Sequence, residues 1–351
     1  MLSAGMQLSA ANWMSRLDDS APLSLLTIPG SHDAATGCGF TGKYSDLAEK
    51  FGTTQTLTLA EQWTAGVRAF DLRPAVAEDE GGSELHIYHG KMKTKASFEY
   101  ALTLLIDSVI ANPSEFAVVI MQHERGGDGN NEKWVPMMKA LMNKEKIKRN
   151  IAEYSPWLTV KDLRGKVLVL SRDSYADVPV GGYIERWTSE ENLNEQMSVV
   201  VRSAAGSGSM YVQDYYETIG GKMEIKKANI RRMFALSCEA RDMCKNDKRC
   251  TAARQLPPCG QSQACNKAHP IIVNHTSGYS SISAMSGDEM AETAGYRDNA
   301  ARCNAVAIKC LQRYKQAAGI IMMDYVGTDN AGGYKVKGRK LVEEIIRHNF
   351  R

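Results

Sequence analysis

Two histidines stand in surroundings suited to proton transfer. One apolar run ends in Thr27-Ile28-Pro29-Gly30-Ser31-His32-Asp33. A second carries Phe70-Asp71-Leu72-Arg73, and a third ends Leu85-His86-Ile87-Tyr88-His89-Gly90. Each reads as a short buried strand whose last residues turn polar. The three strand ends supply two imidazoles (His32, His89), a guanidinium (Arg73) and two carboxylates (Asp33, Asp71). Imidazole titrates near neutral pH, so one ring can take a proton from an oxygen while the other returns a proton to a second oxygen. An arginine between them can hold a phosphate. A lone histidine at a strand end is ordinarily a satisfied core residue. The combination with Arg73 is what argues for chemistry.

The elements that must position these groups alternate along the chain. Eight β-like runs can be counted, at 24–31, 67–73, 84–89, 115–124, 166–173, 210–216, 270–277 and 319–326. Most are apolar throughout, as in strands buried on both faces of a parallel sheet. Helical patterns at 57–65, 98–111, 133–153, 190–202, 223–241 and 298–316 separate most of them, and 341–348 closes the chain. The alternation predicts an α/β fold, a (β/α)8 TIM barrel forming one domain over 12–351. The connection at 77–83 has no room for a helix, so the barrel should be irregular. Such barrels place their chemistry at the carboxyl ends of the strands, where His32, Arg73, His89, Glu124, Arg172, Asp214 and Asp324 all fall. Two stretches stand outside the pattern, 37–56 and a cysteine-rich insertion at 238–269.

Composition narrows the class. The chain has 351 residues, 43% of them hydrophobic, and a net charge of only +3, which supplies no field for nucleic acid. Lys91, Lys93 and Lys95 follow the second histidine, as a solvated basic face or as an attraction to an anionic surface. No stretch is long enough to cross a membrane as a helix, and residues 1–11 lack the pattern of a signal peptide. Eight cysteines are present, without the Cys-x-x-Cys spacing of a zinc or redox motif. Five of them cluster at Cys238, Cys244, Cys250, Cys259 and Cys265, with Cys303 and Cys310 on a later helix. An even, clustered set predicts disulfides stapling the insertion, and hence a secreted or extracellular protein. Reduced, buried cysteines in a cytoplasmic protein or a bacterial effector are the alternative.

The order Pro-Gly-Ser-His-Asp, then Gly-Val-Arg-x-Phe-Asp-Leu-Arg from Gly66 to Arg73, then His89-Gly90, resembles the phosphatidylinositol-specific phospholipase C X domain. The bacterial, metal-independent branch is the nearer one. Later pieces follow in order: Asn112-Pro113-Ser114-Glu115, Gln213-Asp214-Tyr215-Tyr216, Asn274-His275-Thr276-Ser277-Gly278 and Met323-Asp324-Tyr325. The resemblance implies cleavage of phosphatidylinositol to diacylglycerol and a cyclic inositol phosphate, with no cofactor or metal. Glycosylated inositol anchors are a further candidate substrate. His32 would be the base, His89 the acid, and Asp324 the group orienting the base; a helix cap or rim salt bridge is the ordinary reading of Asp324. Asp33 would lie near the leaving oxygen and His89, or simply cap a helix. Arg73 would stand where the calcium-dependent branch holds its metal. Glu124 departs from the bacterial pattern, which tends to carry lysine there, and would pair with Arg73 or Arg125.

Arg172 and Asp214 match positions that hydrogen-bond inositol, and Tyr216 one that stacks on the ring; Asp71 and Glu124 complete the expected substrate-binding set. Phe40, Tyr44, Tyr279, Ile282 and Met285 would form an apolar rim touching lipid, with core packing the plainer reading for the first of these segments. The expected partner is phosphatidylinositol in a membrane, met peripherally by a monomer. The rivals are a glycerophosphodiester phosphodiesterase-like enzyme and a catalytically idle X domain that binds phosphoinositide.

Overall fold

The structure, a computed structural model, describes residues 10–43, 45–187, 198–218, 221–245, 269–278 and 295–351. Its strands in chain order are β1 (Thr27–Ser31), β2 (Ala69–Leu72), β3 (Pro74–Asp79), β4 (Gly82–His89), β5 (Met92–Ser97), β6 (Ala117–Met121), β7 (Ile151–Ala152), β8 (Val167–Ser171), β9 (Gly182–Glu185), β10 (Ser198–Ser203), β11 (Gly206–Gln213), β12 (Ile271–His275) and β13 (Gly319–Met323). Strands β1-β2-β6-β8-β9-β10-β11-β12-β13 follow one another around a closed ring, β13 pairing back to β1. All are mutually parallel except β10, which runs antiparallel to both neighbours. β1, β6, β8, β12 and β13 are buried at every residue, as strands with barrel interior on one side and helices on the other must be.

The irregular (β/α)8 barrel is therefore the fold, but its membership differs from the sequence expectation in two places. The run at 84–89 is not a barrel strand. It belongs to β4, the centre of a separate antiparallel sheet β3-β4-β5 that follows β2 directly. The eighth parallel strand is instead β9, a segment of four residues. The helix expected over 190–202 is also corrected. Residues 198–203 form β10, where β-branched Val199 and Val201 turn inward while their neighbours stay exposed. An alternating, valine-rich run fits a pleat better than a helix.

Other helices lie close to where periodicity puts them: Leu59–Thr64, Phe98–Ala111, Trp134–Met142 with Glu145–Asn150, Tyr296–Arg313 and Gly338–His348. Helix Lys222–Lys245 runs past residue 238, so Cys238 and Cys244 sit on a helix rather than in an insertion. Residues 246–268 lie outside the described residues. Cys38, Cys303 and Cys310 carry free thiols.

The strand end opposite the histidines is closed by one buried arginine. Arg68 is fully buried, and its Nε donates to Glu115 Oε2 at 3.0 Å. Nη1 donates to the carbonyls of Trp63 and Val67 at 2.8 Å, and Nη2 to that of Ala11 at 2.6 Å. The guanidinium also stacks on the Trp63 ring, 3.7 Å from its centroid. Burial pulls this group down to about 10 even with Glu115 beside it. The bond to Ala11, with Trp13 Nε1 donating to Gly66 O at 3.0 Å and Met14 N to Glu115 Oε2 at 3.4 Å, latches the N-terminal segment Ala10–Arg16 across the barrel floor. Glu115→Ala leaves that guanidinium buried without its counter-charge and should cost about 3–5 kcal/mol of stability, read from urea denaturation. A loss below about 1 kcal/mol would remove Arg68 from this role.

Candidate active site

The site is assembled by the pairing of β1 with β13. Their register, Thr27 with Gly319 through Ser31 with Met323, brings the residues that follow each strand side by side. His32 N donates to Met323 O at 3.1 Å, and His32 Nδ1 lies 2.8 Å from Asp324 Oδ1. Gly30 permits the approach, since a Cβ there would meet Met322 Sδ at 2.5 Å and Ile321 O at 3.1 Å. Gln55 clamps the junction. Its Nε2 donates to His32 O (2.8 Å) and Met323 O (2.9 Å), and its Oε1 accepts from Val326 N. The segment 37–56, outside the repeating pattern of the sequence, is thus part of the site's frame.

His32 is held between opposite influences. Nε2 faces an Arg73 Nη2 at 3.0 Å and Asp33 Oδ2 at 3.2 Å. The neutral ring, with its proton on Nδ1, accepts from Arg73; the imidazolium donates to Asp33 instead. Burial disfavours the charged ring, and Arg73 adds to that. The charges of Asp33 and Asp324, with the Asp324 hydrogen bond, outweigh both and push His32 up to about 9. Asp324 is fully buried, and desolvation raises its own pKa against the pull of His32.

Asp33 adopts left-handed backbone (φ 44°), a conformation that costs a non-glycine residue about 1 kcal/mol or more. It precedes the short 3-10 helix Ala34–Cys38 but makes no side-chain cap bond, so the capping reading fails. Its carboxylate turns into the site instead. Oδ1 lies 3.0 Å from Arg73 Nε, and Oδ2 lies within 3.5 Å of Nε2 of both His32 and His89.

His89 arrives from the end of β4, not from a barrel strand. Its Nδ1 lies 2.8 Å from Gly52 O, a carbonyl that can only accept, so Nδ1 carries a proton. Nε2 is then left for chemistry, with the Tyr296 hydroxyl 3.3 Å away.

Arg73 is ringed by carboxylates: Asp71 at 2.7 Å, Asp33 at 3.0 Å and Glu124 at 3.8 Å. Burial opposes its charge, yet these neighbours hold it well above an ordinary arginine. Asp71 is correspondingly held far below the usual carboxylate range; burial works against this and Arg73 prevails. Burial moves Glu124 the other way, up to about 7, because Arg73 compensates only in part. Among the described residues, His32, Asp33 and Asp71 form the one group spaced to grip a metal ion, and the guanidinium already engages both carboxylates.

A cleft of about 280 Å³ opens on these groups, lined by His32, Asp33, Arg73, His89, Arg172, Asp214 and Tyr216 of the expected set. Gln122, Ser277, Gly278 and Tyr296 also line it. Asp71 and Asp324 stand buried behind the lining, and Glu124 beside Arg73. Trp187 was not legible in the sequence as a site residue. Its Nε1 donates to Asp214 Oδ2 at 2.9 Å and its ring carries the Arg172 guanidinium at 4.3 Å. Arg172 is drawn down to about 10 by burial, offset by Asp214.

His275 belongs to the motif Asn274-His275-Thr276-Ser277-Gly278. It lies edge-on to both His32 and Trp187, with ring centroids 5.9 Å apart. Of the expected membrane rim, Phe40 is 3% exposed and belongs to the core, bridged to Thr94. Tyr44, Tyr279, Ile282 and Met285 lie outside the described residues.

Residues 27–173, which carry His32, Asp33, Asp71, Arg73, His89 and Glu124, match the family model "Phosphatidylinositol-specific phospholipase C, X domain". A 1-phosphatidylinositol phosphodiesterase of Listeria monocytogenes is 31% identical over 168 residues, 46% of this chain and 48% of that protein. One from Staphylococcus aureus is 25% identical over 221 residues, 60% of this chain and 65% of the other. The chain thus matches about half the length of the first of these relatives. The fold similarity reaches further. The solved phosphatidylinositol-specific phospholipase C from Listeria monocytogenes superposes with a TM-score of 0.63 at 21% identity, covering 97% of this chain and 98% of the other. A Staphylococcus aureus structure gives 0.67 at 20% identity, covering 97% of each chain. Residues 27–173 thus match the phosphatidylinositol-specific phospholipase C X domain, and the barrel as a whole shares the fold of these solved structures.

Proposed function

We propose that the protein is a phosphatidylinositol-specific phospholipase C that cleaves phosphatidylinositol to diacylglycerol and a cyclic inositol phosphate. The observation that carries this reading is the placement of Arg73 beside His32, which is braced by Asp324, with His89 across the shared Asp33 carboxylate. The inositol hydroxyl next to the phosphate is the nearest nucleophile, and its attack is intramolecular, so proximity does much of the work. His32 Nε2 takes that hydroxyl proton while Asp324 steadies the resulting imidazolium. Arg73 meets the charge that builds on the phosphate oxygens. His89 Nε2, once protonated, gives its proton to the departing glycerol oxygen. Each proton transfer contributes roughly 10²–10⁴-fold. The bond from inositol oxygen to phosphorus forms as the bond to the glycerol oxygen breaks, which leaves the cyclic diester. Arg172, Asp214 and Tyr216 offer a donor, an acceptor and a ring face to the inositol.

Contact with the membrane would be peripheral and near the cleft. Support comes from helix Ser45–Phe51, which exposes Leu47 and leads into the Gly52 carbonyl that holds His89. An extracellular setting rests on the cysteine-rich segment. Thiol counting on denatured, unreduced protein should find fewer than eight free thiols, and a full eight would move the protein to a reducing compartment.

His32→Ala and His89→Ala should each lower turnover of phosphatidylinositol vesicles by two or more orders of magnitude with the fold kept. Wild-type activity should survive EDTA, because the guanidinium of Arg73 fills the place a cation would take. Phosphorus NMR of the soluble product distinguishes a cyclic phosphate from an open one. Near-normal turnover by either folded variant, or strict calcium dependence, would overturn the mechanism.

The pH dependence has a defined sign. His32 must be neutral to act, and its pKa in the free protein lies up at about 9. The limb of kcat/KM that reports His32 should therefore rise with pH on the alkaline side of neutrality, opposed by the need for a proton on His89. Asp324→Asn removes a neighbour that raises this pKa, so the rising limb should move to lower pH while kcat falls. A limb that stays in place would detach it from His32. Stability runs the other way: the raised pKa means His32 stabilises the fold fully below about 6.5 and loses that contribution as pH rises through about 9.

A further inference from the structure

Lys226, on helix Lys222–Lys245, is fully buried, and no catalytic step above uses it. Among the described residues its ammonium has one hydrogen bond, a long one of 3.4 Å to Gln213 Oε1. An ammonium taken out of water for so little costs several kcal/mol, and a methionine would fill the same space without that cost. Packing therefore does not account for a lysine here.

Its surroundings do. Gln213, at the end of β11, receives Lys226 on its Oε1, which also accepts from Tyr215 N at 2.9 Å. Gln213 Nε2 donates to Asn274 Oδ1 (2.8 Å) and to His275 O (2.7 Å). Asn274 Nδ2 ties this layer back to the helix through Ile230 O at 3.3 Å. The layer lies directly behind the cleft: Asp214 follows Gln213 in sequence, and His275 stands edge-on to His32.

Among the described residues, the titratable groups whose charge bears on the ammonium come from four elements. They are Cys303 on helix Tyr296–Arg313, Asp214 after β11, His275 on β12 and Asp324 after β13. Burial pushes the Cys303 thiol up to about 11, so it is neutral. The carboxylates of Asp214 and Asp324 are what remain to face the ammonium. Burial draws Lys226 itself down to about 8, which still leaves it charged at neutral pH. Burial takes His275 down to about 4, and Lys226 adds to that shift.

We propose that Lys226 is a positioning residue of the active site. Its buried ammonium, hung from Gln213, supplies a fixed positive charge behind the cleft that favours the ionised form of Asp214 and, with burial, the neutral form of His275. Asp214 can then accept from the inositol. The link to turnover rests on the phospholipase reading; the electrostatic role does not.

Two measurements on Lys226→Met separate the two. Imidazole titration by NMR needs no substrate, and the His275 ring should titrate higher than its wild-type value of about 4. Thermal stability should hold or rise, because a buried charge has gone. Turnover of phosphatidylinositol vesicles should fall about tenfold, the effect of roughly one unit of displaced titration. If the wild-type protein turns over no phosphatidylinositol, the phospholipase reading fails and the titration alone decides the role of Lys226. An unmoved His275 titration in a folded variant overturns the proposal, as does normal turnover in the variant of an active enzyme. Loss of fold in both Lys226→Met and Lys226→Gln would make the lysine structural and overturn it as well.

Discussion

The parallel pairing of the first barrel strand with the last is the constraint on which the site depends. β1 and β13 are far apart in sequence, yet their register delivers His32 and Asp324 to one hydrogen bond. A slip of one residue would turn alternate side chains to the other face and part the two groups. Gly30 lets the strands approach, and Gln55 bonds to backbone groups on both sides of the junction, fixing the register at its functional end. Closing the barrel and orienting His32, the proposed base, are one structural event here. That is why so much hydrogen bonding from the 37–56 segment converges on it.

Two neighbouring imidazoles show how finely burial and charge are balanced in this site. His275 is buried and His32 is partly exposed to the cleft, with ring centroids 5.9 Å apart. Burial alone would drive both toward the neutral form. His32 has carboxylates at 2.8 and 3.2 Å, and their charge wins. His275 has Asp214 at 3.5 Å and turns its Nδ1 to the Ser277 hydroxyl at 3.2 Å, so desolvation wins. A second carboxylate and a direct hydrogen bond to Asp324 separate a ring held up near 9 from one held down near 4, where one carboxylate faces burial and the positive charge of Lys226. In a medium that screens weakly, the number and sign of such neighbours decide protonation.

Much of this was legible in the residues. The strand-end motifs around His32, Arg73 and Asp324 are local, and each marks the end of a mainly apolar run, so both chemistry and barrel could be read from them. Arg172, Asp214 and Tyr216 follow the same rule and do line the cleft. What escaped was set by contacts distant in sequence. β4 has the apolar alternation of a strand, and nothing local says that it pairs outside the barrel. β9 is too short to announce itself, and Trp187 matters only because Asp214 and Arg172 are folded against it. The motif from Gly66 to Arg73 holds two arginines that look alike in sequence. The strand between them, about 17 Å from one to the other, puts Arg68 on the floor and Arg73 in the site. One holds the fold together and the other holds charge for chemistry.

Under the proposed function, the three carboxylates around Arg73 define what an incoming phosphodiester would have to displace. Asp71 bonds the guanidinium at 2.7 Å and is held strongly ionised, so parting it from Arg73 would be costly. Asp33 has Arg73 and both histidines to satisfy, and its position between them is part of the proton-transfer geometry. Glu124 is the outlier at 3.8 Å, with its pKa pushed up to about 7 by burial that Arg73 offsets only in part. It is the carboxylate that costs least to neutralise or set aside when a phosphate oxygen approaches the same guanidinium. A glutamate is therefore compatible with the anion-binding role of Arg73, because its surroundings keep its charge close to the point of loss at neutral pH.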